Sequence, residues 1–284
     1  MGQYFITMSD FRVSTGGTYF TTRAVYFPSS EGLRLARVEA FNAPRFRPGG
    51  WEDEQRGGAC RRGASEDEPR SSGEADEPTS RENARRAIRR AKAAAFDAIM
   101  CNPDIDLFAT LTYSPEQVED KASYAECYRY LNTFFSNRVQ RRGLKYICAP
   151  ERTKKGDVHF HFLCNSSAMK LTEAISPKTN RLLTHGKKIL YNLPEWTRGF
   201  SSAEFISEGG ENRDAVAKYI FKYIGKDAEN KVGGRYLLTG GNLVRPVYAY
   251  GDSPEEFIEK GVEKFHKVVT LEDCGVKYEC FSMI

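Results

Sequence analysis

The sequence predicts an α+β protein, and three features of the chain support this prediction. Two long segments, 80–102 and 121–141, have the composition and spacing of amphipathic helices. Segments rich in aromatic and β-branched residues follow each of them, as expected for strands. Two of these strand segments are joined by a short connection that contains glycine, which is typical of a β-hairpin.

The composition is that of a folded protein without membrane spans. Of the 284 residues, 40% are hydrophobic and 28% are charged, as in ordinary globular domains. No segment approaches the roughly 20 consecutive apolar residues of a membrane span, so we expect no membrane partner. Seven scattered cysteines form no CxxC pair, which favours reduced thiols in a cytoplasm over a zinc site or a disulfide scaffold. The net charge of +4 permits nucleic acid as a partner but does not require it.

The chain divides by composition. Residues 1–43 contain short β-prone pieces, and the sequence leaves their structure open. Residues 44–79 are rich in Gly, Pro, Ser and charged residues and lack Ile, Leu and Val. Such a segment cannot bury enough apolar surface to offset chain entropy, so we expect a disordered linker. A folded domain over 80–270 and a C-terminal tail over 271–284 complete the predicted organisation.

Local signals set the first predicted elements of the folded domain. The first helix begins at Ser80 and ends before Pro103, since the residue preceding a proline disfavours the helical conformation. A strand over 107–113 follows. The second helix has apolar residues at helical spacing, and Gly143 ends it.

The remaining elements are a hairpin and two helices. Strands over 144–151 and 157–164 flank a five-residue connection that ends in glycine. A helix over 213–226 comes next. The last predicted helix, 254–267, has Ser253 as its cap and a proline in its first turn.

The second hairpin strand carries two of the four histidines, His159 and His161. Alternate residues of a strand share a face, so both imidazoles point the same way. If the hairpin is centred on Lys155, Glu151 lies opposite His159 on that face. Two imidazoles and a carboxylate suit a divalent cation with positions open to a substrate. A surface strand with two solvated histidines accounts for the same residues equally well, and a one-residue slip would turn Glu151 away.

The predicted helix over 213–226 carries a second group of polar residues. Its apolar stripe faces the core, and two phenols with two ammonium groups lie beside that stripe. Neighbouring cations favour the phenolate, and a lysine can also hold a phosphate. An amphipathic helix whose tyrosines cover the edge of the core is the plain alternative. The polar residues are Tyr219, Lys222, Tyr223 and Lys226.

Together the two groups indicate one chemistry. A metal ion can polarise a phosphodiester. A tyrosine can then displace a sugar hydroxyl and remain attached to the phosphate. The pair of motifs therefore favours tyrosine attack on nucleic acid over either motif's plain alternative.

These motifs resemble the rolling-circle replication initiators of the HUH endonuclease superfamily, including the gene II protein type of filamentous phage. The segment Phe108–Tyr113 resembles the first motif of that family, His159–His161 resembles its second, and Tyr219–Lys226 resembles its two-tyrosine helix. The resemblance covers about 80–250. It implies an HUH endonuclease domain with a central antiparallel sheet and flanking helices, of the palm or ferredoxin-like type.

The resemblance also implies a role for each site residue. Tyr219 and Tyr223 would be the nucleophiles; one nicks the origin and leaves a 3′ hydroxyl primer, and the other accepts the new strand. Lys226 and Lys222 would neutralise the scissile phosphate.

The implied cofactor is Mg²⁺ or Mn²⁺. His159 and His161 would bind it, with Glu151 as the third ligand.

The implied partner is single-stranded or supercoiled origin DNA in the cytoplasm of a bacterial host. No GxxxxGK[ST] loop occurs, so a separate host helicase would unwind the DNA, and a host polymerase would extend the primer. Basic residues on the first helix are spaced so that they can follow phosphates. A solvated cationic face accounts for any one of them equally well. These residues are Arg85, Arg86, Arg89 and Arg90.

Three alternatives remain open at this point. A plasmid-mobilising relaxase and a single-strand transposase would use the same chemistry on other DNA. A DNA-binding regulator that no longer cuts would keep the fold alone, although it would need neither the paired histidines nor the tyrosines.

Overall fold

The computed structural model describes eight stretches of the chain. They belong to two compact units. The central unit is Ser80–Val244, and the terminal unit combines Met1–Thr79 with Arg245–Ile284. The described stretches are 5–6, 18–30, 32–47, 80–206, 213–226, 232–252, 267–273 and 276–282.

The described residues form three α-helices, two short 3₁₀ turns and fifteen strands. The helices are α1 (Ser80–Cys101), α2 (Tyr124–Arg142) and α3 (Arg213–Phe221), and the 3₁₀ turns are Ser166–Ala168 and Val232–Gly234. The strands are β1 (Phe5–Ile6), β2 (Thr18–Ser29), β3 (Gly32–Arg47), β4 (Leu107–Leu111), β5 (Tyr146–Arg152), β6 (Val158–Cys164), β7 (Thr172–Glu173), β8 (Thr184–His185), β9 (Lys188–Ile189), β10 (Tyr191–Asn192), β11 (Ser201–Phe205), β12 (Leu238–Gly240), β13 (Val247–Gly251), β14 (Lys267–Asp273) and β15 (Val276–Ser282).

A seven-stranded sheet organises the central unit. Its order is β12-β5-β6-β4-β11-β10-β7, and every neighbouring pair is antiparallel. The predicted hairpin forms β5 and β6, and β6 lies inside the sheet between β5 and β4. The predicted α+β class, with a central antiparallel sheet and flanking helices, is confirmed.

Helices cover both faces of this sheet, because each strand alternates apolar side chains between two cores. On one face Phe160 and Phe162 pack with α2, which contributes Leu131 and Phe135. On the other face the core includes Phe108, Leu163 and Ile147 of the sheet. It is covered by Ala95 and Ile99 of α1 and by Val216 and Ile220 of α3.

The second helix begins at Tyr124, three residues later than predicted, and both of its ends are capped. The Ser123 hydroxyl accepts a hydrogen bond from the Glu126 amide at 3.4 Å, which caps the first turn. Gly143 adopts a left-handed φ of 65° and donates its amide to the Arg138 carbonyl. Glycine takes this conformation without a Cβ penalty, so the predicted end of the helix is confirmed.

The tyrosine-bearing helix is shorter than predicted. It ends at Phe221 instead of at Lys226. Beyond that point the Tyr223 amide bonds the carbonyl three residues back, Ile220, at 3.0 Å. Gly225 has a left-handed φ of 77°. Tyr219 therefore lies on the helix, whereas Tyr223 and Lys226 lie on the turns that follow it.

The terminal unit is a β-structure in its described residues. Its strands run in the order β13-β2-β3-β15-β14, with β1 also pairing with β3. Ala24, Tyr26, Val38 and Ala249 form its small core.

The unit boundaries differ from the predicted domains. The central unit ends at Val244, before residue 270. Strand β3 includes residues 44–47 of the predicted linker, and the rest of that linker, 48–79, lies outside the described residues. The predicted tail over 271–284 carries β15. The helix predicted over 254–267 lies outside the described residues except for Lys267, which begins β14.

Candidate active site

One face of the central sheet brings the predicted metal ligands together. Glu151 of β5 pairs directly with His159 of β6, so the predicted register is confirmed. On the other side of β6, Thr110 of β4 pairs with His161. Because these four residues share one face, we call it the site face.

His161 is held on both of its ring nitrogens. It is only 6% exposed, and its Nε2 lies 2.6 Å from a carboxylate oxygen of Glu151. Its Nδ1 lies 3.0 Å from the Thr110 hydroxyl. A nitrogen and a carboxylate oxygen at this distance are hydrogen-bonded. The ring orientation is therefore set by two neighbours on the sheet.

Glu151 is a carboxylate at neutral pH. Its second oxygen accepts a hydrogen bond from the Lys226 ammonium. The hydrogen bond with His161, supported by Lys226, lowers the pKa of Glu151 to about 2 in spite of partial burial. The carboxylate thus links the histidine to the turn that follows α3.

His159 is a neutral imidazole at neutral pH. Burial and the neighbouring His161 lower its pKa below the ordinary value. The centroids of the two imidazole rings are 6.4 Å apart. A neutral ring keeps a nitrogen lone pair, which is what a metal ligand requires.

The imidazole and carboxylate groups on the site face are suitable ligands for a divalent cation, but two of them, His161 and Glu151, are hydrogen-bonded to each other. Within the described stretches, no three His, Cys, Asp or Glu side chains are grouped as a ready cation site. The His161 nitrogen and the Glu151 oxygen bond each other, so a cation bound there would have to replace that hydrogen bond. Thr110 would then support the ring from its far nitrogen, as outer hydrogen-bond partners of ligating histidines do.

Tyr223 stacks on the histidine. Its ring lies 3.7 Å from that of His161, at an interplanar angle of 13°. Tyr223 also packs against Phe108, with 5.7 Å between the ring centroids. Burial raises the pKa of Tyr223 and Glu151 adds to the rise, while Lys226 opposes it.

Tyr219, on α3 itself, has a different environment. Its ring also packs on Phe108, at 5.6 Å between centroids. The Lys188 ammonium donates a hydrogen bond to its hydroxyl at 3.3 Å. The Lys222 ammonium lies 5.2 Å from the ring centroid. One phenol is thus next to a carboxylate, and the other is next to two cations.

Three residues that contact the site were not predicted from the sequence. They are Lys188, Thr110 and Phe108. Phe108 and Thr110 lie on the strand that resembles the first motif, so alternation along that strand could have placed them on the site face. Lys188 is on β9, 31 residues before the tyrosine that it contacts. No spacing in the sequence relates the two.

A basic cavity adjoins Tyr223 and the carboxylate. Its volume is about 270 Å³, and its lining combines four cationic side chains with Glu151 and Tyr223. Such a surplus of positive charge favours an anionic ligand. The cationic residues are Arg152, Lys154, Lys226 and Arg235.

The predicted DNA-binding arginines lie on α1, which neighbours the turn after α3. Arg85, Arg89 and Arg90 are exposed, and Arg86 is half-buried. The side chain of Ile88 lies so close to Gly225 that a Cβ added there would be 2.7 Å away. This part of α1 therefore neighbours the turn that carries Lys226.

A known protein family matches the part of the chain that carries the candidate site. Residues 106–228 match the family model described as replication-associated protein ORF2/G2P. Neither the curated proteins nor the solved structures give a match to the chain. No helix of the described residues is long and apolar enough to cross a membrane. The segment that carries the candidate site is thus similar to the replication-associated protein ORF2/G2P family, which supports a DNA-binding replication initiator.

Proposed function

We propose that this protein nicks one strand of origin DNA through a tyrosine–phosphodiester intermediate and starts rolling-circle replication. The observation that carries the proposal is the position of the two phenols. Tyr219 and Tyr223 flank Phe108 beside the bonded pair of His161 and Glu151. The proposed nucleophiles thus lie close to the proposed cation-binding groups, which supports a phosphoryl-transfer reaction.

Each residue of the site has its own role in the proposed reaction. His159, His161 and Glu151 would hold Mg²⁺ or Mn²⁺, which would polarise the scissile phosphate. A phenol oxygen attacks phosphorus, the bond to the 3′ oxygen breaks, and that oxygen leaves as a 3′ hydroxyl. The phenolic proton passes to water. Attack of a 3′ hydroxyl on the phosphotyrosine reverses the reaction and rejoins the strand.

The two lysines would neutralise the negative charge of the scissile phosphate. Lys222 lies beside Tyr219, and Lys226 is on the turn beside Tyr223. In the structure Lys226 is bonded to Glu151, so a bound phosphate would compete for it. The basic cavity next to Tyr223 provides room for the neighbouring DNA backbone.

The proposed partners follow from the product. The 3′ hydroxyl is a primer, so a DNA polymerase of a bacterial host would extend it. The sequence carries no ATP-binding GxxxxGK[ST] loop, so a separate host helicase would supply the unwinding. The reaction would accordingly take place in the host cytoplasm on single-stranded or supercoiled origin DNA.

A covalent-capture experiment tests the proposal. The protein is incubated with a random pool of single-stranded oligonucleotides and Mn²⁺, and adducts that survive detergent are isolated and sequenced. We expect adducts with the wild-type protein and none after addition of a chelator. The double variant Tyr219→Phe, Tyr223→Phe should form none, because both nucleophilic oxygens are absent. Tyr191→Phe, a half-buried tyrosine on β10, is the matched control and should react like wild type.

The same experiment separates the alternatives. Adducts formed by the double variant would show that another residue is the nucleophile. DNA binding without any adduct from the wild-type protein would favour the regulator that does not cut. The captured sequence, placed on its replicon, distinguishes a replication origin from a transfer origin or a transposon end.

A further inference from the structure

One aromatic side chain of the described chain stands exposed beside the candidate site. Phe200 is 78% exposed, which is the largest value among the exposed apolar side chains of the described residues. No other Phe, Tyr or Trp whose burial the structure describes belongs to the exposed class. Leaving a phenyl ring in water forfeits about 2 kcal/mol of burial free energy, so an exposed ring next to a site suggests a ligand.

The sheet register places Phe200 at the site. Leu111 of β4 pairs with Ser201 on one side and with Phe160 on the other. One residue further along, Phe200 on one side therefore corresponds to His159 on the other. Two strand spacings, about 10 Å, separate them.

Alternation along β11 directs the side chain of Phe200, one residue before the strand begins, toward the site face. Ser202 of β11 pairs with Thr110, whose hydroxyl contacts His161. Phe200 is two residues from Ser202, so alternation along the strand directs it to the same side. Ser201, between them, bonds the Leu193 amide through its hydroxyl, and Ala203 is in the core of the opposite face.

The backbone at Phe200 is held in place. The Thr112 amide donates to the Phe200 carbonyl at 2.9 Å, and the Phe200 amide donates to the Thr112 hydroxyl at 3.2 Å. Gly199 packs so tightly that a Cβ added there would lie 2.4 Å from the Thr112 carbonyl oxygen. Because the backbone is fixed in this way, only the side-chain torsions of Phe200 have to be ordered when a ligand stacks on the ring.

The candidate site also carries positive charge. The Lys188 ammonium lies 5.3 Å from the centre of the Tyr219 ring, and the Lys222 ammonium lies 5.2 Å from it. An exposed aromatic at a site with cations is a combination with which proteins hold single-stranded DNA, since bases stack on the ring and phosphates pair with the cations.

We infer that Phe200 is a stacking platform for a DNA base close to the scissile phosphate. The inference rests on the proposed function, because it assigns the substrate's neighbouring base to a surface of the same site. It names a binding residue that none of the predicted motifs contains.

Fluorescence anisotropy with a labelled oligo(dT) strand tests the inference. The full chain carries Tyr219→Phe and Tyr223→Phe, so only non-covalent binding is measured. We expect Phe200→Ala to weaken binding about five- to 150-fold, as loss of one stacked base does. Phe200→Trp should bind at least as tightly as the parent. Leu182→Ala, which truncates another exposed apolar side chain, is the control and should bind normally.

A second strand of abasic deoxyribose phosphate shows whether a base is the ligand. The parent should prefer oligo(dT) to the abasic strand, and Phe200→Ala should lose that preference. The salt dependence of binding should stay the same, since Phe200 carries no charge.

Several outcomes would overturn the inference. Normal oligo(dT) affinity in Phe200→Ala would do so, and so would an equal loss of affinity for both strands. Conversion of a dimer to a monomer by Phe200→Ala, with DNA binding unchanged, would show a contact between copies of the chain. Covalent capture by the wild-type protein reports on the proposed function separately, so its failure is distinguishable from a failure here.

Discussion

His161 is the residue at which the parts of the candidate site meet. Its two ring nitrogens contact Glu151 and Thr110, and its face contacts Tyr223. Any change at His161 therefore acts on the proposed cation-binding groups and on a proposed nucleophile together. A substitution there cannot separate the two functions, whereas substitutions at its neighbours can.

The two tyrosines are chemically unequal. Tyr223 is beside a carboxylate and has a raised pKa, while Tyr219 receives a hydrogen bond from Lys188. We therefore expect Lys188→Ala to impair the reaction of Tyr219 alone. In a Tyr223→Phe background, covalent capture should fall about 10- to 100-fold, as for loss of a hydrogen bond from a charged group. Quantitative gel analysis of the protein–DNA adduct measures this decrease in covalent capture.

Two variants provide the comparison for Lys188. Lys187→Ala removes the exposed neighbouring ammonium and should leave capture unchanged. In a Tyr219→Phe background, Lys188→Ala should have little effect, because Tyr223 then carries the reaction. Equal losses in both backgrounds would mean that Lys188 supports the whole site and not one phenol.

At the scale of elements, the turn after α3 positions Tyr223 and Lys226. This turn depends on Gly225, which has a left-handed φ and lies against Ile88 of α1. An alanine there would have to adopt a conformation that costs about 1–2 kcal/mol. Its Cβ would also overlap Ile88, and overpacking adds about 1–3 kcal/mol.

The matched control for this turn is Gly234. It has a similar φ of 73°, but an added Cβ would meet nothing within 4 Å. We expect both Gly→Ala variants to lower the melting temperature, and Gly225→Ala to lower it several degrees further. Only Gly225→Ala should reduce covalent capture. Equal melting temperatures would show that Ile88 moves aside at no cost.

At the scale of the whole molecule, the candidate site belongs to one unit. Every residue of the proposed site lies within Ser80–Val244, which has its own two cores. The Asn102 side chain fastens the end of that unit, because it bonds both the amide and the carbonyl of Val244. We expect a fragment of residues 80–244 to fold alone, since a domain of this size buries most of its surface.

Circular dichroism during heating tests this expectation. The fragment should show strand and helix signals and one cooperative transition. Asn102→Ala in the fragment should lower its melting temperature, because the partly buried amide and carbonyl of Val244 lose their hydrogen-bond partner. A fragment without a cooperative transition would show that the terminal unit is needed for folding.

Much of this architecture could be predicted from the sequence because it depends on near neighbours in the chain. The hairpin register that opposes Glu151 to His159 follows from the connection length and strand alternation. Helix ends at Cys101 and near Gly143 follow from proline and glycine. The end of α3 could not be predicted, because the pattern of apolar residues continues to Ile224 although the backbone leaves the helix at Phe221.

The sequence by itself determined the residue types of the site, the strand that presents the histidines and the order of the elements. Tertiary structure alone decided that Glu151 bonds His161 and Lys226, that Lys188 reaches Tyr219, and that Phe200 stands exposed. The physical reason is the range of the interactions. Register and helix limits arise within a few residues, whereas these contacts join side chains whose distance is set only when sheet, helices and hairpin pack together.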